Sequence, residues 1–321
     1  MKFQTIAKMT VAKAAMKATE FSLTGVRKRW VLRRGFALAL SLAWLAMGHA
    51  IDAQEKTFLW RVSNEAHSIY LLGSIHYLKR ENFPLHNAIL DAFDASKSLV
   101  LEIDLNRVSP QAAQRVTLEK AIYRDGETLQ QNVSQQTYQL TEQRAESLGI
   151  DMKIMAPMKP WFVALTLMAI KFQQIGLDPN LGVDHYLAGR AKSSGKTTSG
   201  LETLEFQVGL LDQMSKRDQE SLLRETVDEL DLLDENLTKI VQSWLKGDSD
   251  SLAALLLAGM KEYPELHEKM ILDRNRRWIA QIEKIIAQGG GAMVVVGAAH
   301  LVGKDGVIEM LKARGYRLEQ R

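Results

Sequence analysis

The amino-acid sequence predicts an α/β (α+β) fold with a central mixed β-sheet, built from strands near the two ends of the chain and interrupted by a large helical middle. Short β-rich apolar runs occur at residues 57–62, 68–72 and 99–103, and another occurs at 292–296. Between them, residues 110–288 carry leucine at helical spacing among Glu, Asp and Lys. Strands from opposite ends of a chain must meet to complete one sheet, so the helical middle is expected as an insertion between them.

The first elements are predicted from the alternation of apolar runs and polar breaks. Residues 57–62 and 68–72 are separated by the polar segment 63–67, which predicts a β-hairpin. Apolar residues then recur at helical spacing over 85–96, and a continuous apolar run at 99–103 predicts a buried strand.

The later elements are a short strand over 196–201, a strand over 292–296, a helix over 305–314 and a final strand over 316–319. Gly195-Lys-Thr197 resembles the end of a phosphate-binding loop, but the preceding glycine is one residue too far away. A strand is also expected to follow it, whereas such a loop must open a helix. Nucleotide binding is therefore not predicted.

The composition excludes several protein classes. The chain has 321 residues, of which 46% are hydrophobic and 25% charged, so it is neither disordered nor collagen-like. It contains no cysteine, which excludes a thiol nucleophile, an iron–sulfur cluster, a disulfide framework and a cysteine-type zinc site. Any metal ion must bind to His, Asp, Glu, Met or the backbone.

Residues 1–53 have the pattern of a signal peptide. Five Arg or Lys residues between positions 27 and 34 precede 13 uncharged residues, 35–47, and small residues including Gly48 and Ala50 follow, with cleavage expected near Ala50 or Ala53. This apolar run is shorter than the ~20 residues that a transmembrane helix needs, so cleavage is predicted over retention as an anchor. Residues 54–321 are expected to form a single domain that is periplasmic or secreted and has no stable membrane span.

The net charge of +3 belongs to this leader. Residues 1–53 hold nine Lys or Arg and two Asp or Glu, which leaves 32 basic against 36 acidic residues in the remainder. Because the mature domain is slightly acidic, no nucleic-acid partner is predicted.

A weak internal repeat is the most informative motif. Residues 69–76 and 294–300 each form an apolar strand followed by Gly-x-x-His, ending at His76 and His300. Ligands bind where the strands of open α/β sheets end, so two histidines delivered in this way can reach one site. Imidazole is a common metal ligand and titrates near neutral pH. A structural hydrogen-bonding role for either histidine is the simpler alternative.

Glu102 supports a shared site because it lies at the end of an apolar strand. A buried carboxylate is costly unless it is paired, hydrogen-bonded or metal-bound. Pairing with a buried arginine is the structural alternative to metal binding.

These residues resemble the TraB/GumN family, which also includes the PrgY pheromone-shutdown proteins and the animal Tiki proteases. The matching segments follow the family's order along nearly all of the mature chain: 71–76, 99–102, 158–161, 182–184, 200–203, 273–275 and 296–303.

The resemblance implies a fold similar to the erythromycin-esterase and haem-binding ChaN group, with an active centre formed by the two Gly-x-x-His segments and a glutamate. Tiki-type members are metal-dependent peptidases supported by manganese or cobalt. By motif match, His76, His300 and Glu102 are expected as metal ligands. The expected catalytic residues are Glu102, Glu202, Arg274 and Asn275.

Such residues can support hydrolysis of a peptide or protein. A divalent ion such as Mn, Co or Zn lowers the pKa of its bound water, a carboxylate can act as a general base, and Arg274 can stabilise an oxyanion. Which of Glu102 and Glu202 binds metal and which moves protons stays open.

Structural alternatives also stay open. Arg274 and Asn275 can belong to a solvated helical face beside Arg276, and Glu202 can be a residue at a helix N-terminus. The alternative function is a non-catalytic module that binds a peptide, a metal or haem in the same cleft.

Overall fold

The computed structural model describes residues 56–321, so the signal-peptide prediction lies outside the described residues. Its six strands are β1 (Leu59–Ser63), β2 (Ser68–Ser74), β3 (Ser98–Ile103), β4 (Thr197–Glu202), β5 (Ala292–Gly297) and β6 (Arg317–Gln320). They form one sheet in the order β4–β3–β5–β2–β1–β6.

The sheet is mixed. The four strands β4, β3, β5 and β2 run parallel, whereas β1 is antiparallel to both β2 and β6. Every residue of β5 is buried, as expected of a central parallel strand covered on both faces. Because the four parallel strands end at the same edge, the residues after them converge there.

Fourteen α-helices lie in the described part of the chain. In order they are α1 (Asn87–Ala95), α2 (Pro110–Ala121), α3 (Leu129–Asn132), α4 (Gln135–Ser147), α5 (Met152–Met155), α6 (Pro160–Gln174), α7 (Val183–Ser194), α8 (Leu204–Asp212), α9 (Lys216–Glu229), α10 (Leu233–Leu245), α11 (Ser249–Leu257), α12 (Pro264–His267), α13 (Asp273–Ala287) and α14 (Val307–Lys312). A π-helical turn, Glu268–Leu272, leads into α13.

Local sequence signals explain where these helices begin and end. Ser109 caps α2 through a hydrogen bond from Ala112 N–H, and Pro110 occupies the first helical position, where its missing N–H costs nothing. Gly195 ends α7 with a positive φ of 68°, a conformation that favours glycine. The chain then enters β4, which excludes a phosphate-binding loop at Gly195-Lys-Thr197.

The main hydrophobic core lies on the sheet. It combines the inner strands with α1, α7, α13 and α14, and Trp278, Ile282 and Ile286 of α13 are fully buried. A second core lies within the helical middle and includes Leu167 and Leu223.

The predicted fold class is confirmed. The hairpin, the central strands from both ends and the helical middle are all present, with element ends within a few residues of those expected. Among the described residues, no helix is both long enough and apolar enough to span a membrane.

Candidate active site

The carboxyl ends of the four parallel strands bring the predicted site residues together. His76 follows β2 by two residues, Glu102 lies near the end of β3, and Glu202 is the last residue of β4. Beyond β5, a single 3₁₀ turn ends at His300. Helix α13 contributes Arg274 in its first turn, so residues far apart in the sequence form one cluster.

Arg274 lies at the centre of this cluster and uses all three of its side-chain nitrogens. Nη2 is 2.6 Å from Glu102 Oε2 and 2.9 Å from Glu202 Oε2, while Nε donates to both oxygens of Glu202 at 3.0 and 3.2 Å. Nη1 donates to the Met270 carbonyl oxygen and lies 3.0 Å from His300 Nε2. The Arg274 side chain is only 6% exposed, so these contacts replace its hydration.

The two glutamates receive further hydrogen bonds. The Gly297 N–H donates to Glu102 Oε1 at 2.6 Å, and Gln207 Nε2 lies 3.0 Å from Glu102 Oε2 and 3.2 Å from Glu202 Oε2. Since buried carboxylates need several partners, Gln207 and Arg274 together hold Glu102 and Glu202 side by side.

Asn275 defines the tautomer of His300. Arg274 can only donate, so His300 Nε2 must accept, and the ring proton must reside on Nδ1. Nδ1 lies 2.7 Å from Asn275 Oδ1, which accepts that proton. Asn275 Nδ2 donates to the carbonyl oxygens of His300 and Asp305, which fixes the amide orientation. The His300 ring also contacts Trp278, with the ring centroids 4.3 Å apart.

His76 is the accessible member of the site. Its side chain is 53% exposed, and Nδ1 lies 3.2 Å from Asp184 Oδ1. Asp184 reaches this position because Val183 N–H donates to the Ile75 carbonyl oxygen. A Cβ on Gly182 would collide with the His76 carbonyl, so this close approach requires glycine.

Gly297 leaves a small space between the imidazole and the carboxylate. A Cβ at this position would lie 3.2 Å from Glu102 Oε1, 3.3 Å from His76 Nε2 and 3.7 Å from His300 Cδ2. The second Gly-x-x-His motif therefore contributes its glycine as well as its histidine, because the glycine keeps a polar cradle open.

The charges of the site follow from these contacts. Burial alone raises the pKa of Glu102, but the charges of Arg274, His76 and, at low pH, protonated His300, together with the Gly297 N–H, outweigh burial and lower it to about 2. Burial lowers the pKa of His300 to about 3, with Glu102 opposing the shift and Arg274 adding to it. Glu102 is thus ionised and His300 neutral at pH 7.

His76 has the opposite charge preference to His300. Desolvation by neighbouring groups lowers the pKa of His76, but the hydrogen bond to Asp184 and the carboxylates of Asp184 and Glu102 outweigh this and raise the pKa to about 9. One histidine is neutral and buried, and the other is a cation at the surface.

The predicted metal ligands are close together but do not form a complete ligand set. Among the side chains that the structure describes, no group of three or more His, Asp or Glu is arranged to hold a metal ion. Beside Gly297, His76 Nε2 and Glu102 Oε1 are atoms of the kind that ligate metal ions. The nearest atom of His300 is the carbon Cδ2, and His300 Nε2 faces Arg274. This arrangement does not fit a three-ligand ion, and metal binding stays a prediction.

A model of the TraB/PrgY/gumN family matches residues 58–320, which is most of the chain. The chain belongs to the TraB/PrgY/gumN family. The resemblance found in the sequence motifs is thereby confirmed.

Two uncharacterised proteins are distant relatives of this chain. The uncharacterised protein YbaP of Escherichia coli (strain K12) is 25% identical over 244 residues, covering 76% of this chain and 87% of YbaP. An uncharacterised protein of Treponema pallidum (strain Nichols) is 22% identical over 289 residues, covering 85% of each chain. No solved structure matches the chain significantly.

The structure decides between some of the alternatives left open by the sequence. Arg274 and Asn275 are 5% and 0% exposed, so the solvated-face alternative is wrong for both. Glu202 does precede Thr203, the N-cap of α8, but its side chain is buried against Arg274. Glu102 has the buried arginine partner that was the structural alternative to metal binding.

Two residues of the site were missed by the sequence analysis. Asp184 lies in one of the motifs that carry the family resemblance, but nothing in its local pattern indicates contact with His76. Gln207 lies on α8 and shows no signal in the sequence, since only the packing of α8 brings it to Glu102 and Glu202.

Proposed function

We propose that this chain is a hydrolase that adds water to a carbonyl carbon at the edge of the sheet formed by the strand ends. The observation that carries the proposal is the cradle over Gly297, where an accessible imidazole faces a buried, ionised carboxylate. Donor and acceptor groups on two sides of a small space suit a water molecule and the carbonyl that it attacks.

In this proposal His76 moves the protons. Unprotonated His76 takes a proton from the attacking water at Nε2, and the resulting imidazolium returns the proton to the leaving group. Asp184 orients the ring and stabilises its charged form through Nδ1.

Glu102 orients the water in the same scheme. Because its pKa is lowered to about 2, Glu102 accepts hydrogen bonds and does not exchange protons at neutral pH. Arg274 and Gln207 fix its position and do not face the reacting atoms. No step of this scheme uses a metal ion, whose three predicted ligands do not form a set here.

A groove lined in part by Tyr77, the residue after His76, supports a peptide as the substrate. It has a volume of about 780 Å³. Its wall includes Phe162, Leu165 and Ile170 of α6, which would contact an apolar side chain next to the scissile bond. We also propose that the mature chain acts in the periplasm or as a secreted protein, in agreement with its leader pattern.

A cleavage assay on residues 54–321 tests the hydrolase proposal. Fluorogenic peptide libraries and activated esters are incubated with wild type, H76A and E102Q, with EDTA or with added Mn²⁺, Co²⁺ or Zn²⁺. We expect cleavage by wild type and its loss in both variants. H185A is the matched control, because His185 is an exposed histidine on α7.

Two outcomes would contradict the proposal. Cleavage that H76A retains would exclude His76 from the reaction. Thermal stabilisation of the wild type by intact peptides, without any cleavage, would instead support a binding module.

A further inference from the structure

We infer that Arg274 takes the place of a metal ion in this site, so that its guanidinium is the resident cation between Glu102, Glu202 and His300. Ion binding is measured without turnover. The inference can therefore fail while the hydrolase proposal stands, and the hydrolase proposal can fail while the inference stands.

Arg274 already contacts the side chains that would ligate a metal ion. Its nitrogens contact both glutamates and an imidazole nitrogen, at distances between 2.6 and 3.2 Å. Two carboxylates and one imidazole are the donors that a divalent ion prefers. The structure gives these donors to a guanidinium instead.

The nitrogen lone pair of His300 is not free to bind a metal ion. The neutral imidazole has one nitrogen lone pair, on Nε2, because Asn275 Oδ1 accepts the proton on Nδ1. That lone pair accepts from Arg274 Nη1 at 3.0 Å. A lone pair that accepts a hydrogen bond cannot also ligate a metal ion, so an ion at His300 must displace Arg274.

Arg274 is also held too firmly to be displaced easily. Met270 accepts a further hydrogen bond from Nη1, and the guanidinium carbon lies 4.8 Å from the centre of the Trp278 ring. The side chains of Arg274 and Glu202 are 6% and 5% exposed. Removing this cation would leave buried carboxylates unpaired, which is strongly unfavourable.

Ion titration of the purified domain tests the inference. Wild-type protein is treated with EDTA, desalted and titrated with Mn²⁺, Co²⁺ and Zn²⁺ by calorimetry, with thermal unfolding recorded on the same samples. We expect no saturable site in the wild type and the same behaviour in H300A. A wild type that binds one ion per chain, with binding lost in H300A, would overturn the inference.

Removal of the guanidinium gives the complementary test. R274M keeps a side chain of related length and leaves Glu102, Glu202 and His300 free to bind an ion. We expect R274M to gain a saturable site for one divalent ion per chain, which wild type lacks, and R274M/H300A to lose this gain. A folded R274M with no gain in affinity would contradict the inference.

Two further measurements keep this test interpretable. R277M is the matched control, since Arg277 is an exposed arginine on the same helix, and it should bind ions as weakly as wild type. If R274M folds only with an ion present, recovery of its circular dichroism by Zn²⁺, and no recovery in R274M/H300A, supports the same conclusion.

Discussion

The Asn275 amide oxygen lies 2.7 Å from Nδ1 of His300, and this contact keeps the other nitrogen of the ring as an acceptor for Arg274. A neutral histidine between an amide and a guanidinium is thus part of the same hydrogen-bond network as the two glutamates. Asn275, His300, Arg274 and the two glutamates therefore form one continuous hydrogen-bond network.

The Asn275→Ala substitution is expected to destabilise the protein by about 3 kcal/mol, because it leaves the His300 Nδ1–H and the carbonyl oxygens of His300 and Asp305 without their partner. Urea unfolding measures the loss. R276A is the control, since Arg276 is exposed and water screens its ion pairs with Glu268 and Asp273. Equal effects of the two substitutions would exclude a structural role for Asn275.

Loss of Arg274 should be more costly. The R274M substitution leaves Glu102 and Glu202 as unpaired buried charges, and breaking such a pair costs about 3–5 kcal/mol. Adding E202Q removes one of these charges and should restore part of the stability. If E202Q lowers the stability of R274M by as much as it lowers the stability of wild type, the buried charges do not interact.

The pKa of His76 should depend on Asp184. We expect His76 to titrate near 9 in wild type and closer to 6.5 in D184N, because the neutral amide no longer stabilises the imidazolium. NMR of the ring protons over this pH range measures both values. A wild-type His76 that titrates near 6.5 would mean that Asp184 does not stabilise its imidazolium form.

The same pKa predicts how stability and activity vary with pH. The folded-state pKa of His76 is raised above its unfolded value, so its contribution to stability is complete below pH 6.5 and is lost as the pH rises towards about 9. Activity should change in the opposite direction, since a general base must be unprotonated, and kcat/KM should rise until the pH reaches about 9. A profile that falls over this range would contradict the role of His76 as a base.

A methyl group at Gly297 should fill the cradle. Because φ at Gly297 is −53°, alanine is tolerated by the backbone, but its Cβ would lie 3.2 Å from Glu102 Oε1 and 3.3 Å from His76 Nε2. We expect G297A to fold and to lose at least about tenfold in kcat/KM. G209A is the control, because a Cβ on Gly209, in helix α8, would come no closer than 3.8 Å to a neighbouring side chain, at Gln213 Nε2. This variant should leave activity unchanged.

The strands and the two histidine motifs could be predicted because their signals are local. Apolar runs ended by glycine predict strand ends, and the ends of parallel strands meet whatever the chain does between them. The burial of Arg274 could not be predicted in this way, because the segment Asp273-Arg-Asn-Arg-Arg277 has the composition of an exposed helix face. Its burial depends on the position of α13 over the sheet, which local periodicity does not encode.

Asp184 and Gln207 show the same limit. Each is a polar residue near the start of a helix in the middle of the chain, where polar residues are common and indicate nothing about function. The contacts of Asp184 with His76 and of Gln207 with Glu102 arise only after the helical middle has packed against the sheet.

The place of β5 in the sheet determines when the site can assemble. Strand β5 lies between β2 and β3, yet it begins at residue 292, almost two hundred residues after β3 ends. Until those last residues leave the ribosome, β2 and β3 each lack their shared neighbour and present an open edge to other chains. The same late segment carries Gly297 and His300, so the candidate site is complete only at the step that closes the sheet, and a chain truncated before residue 292 has neither a closed sheet nor a complete site.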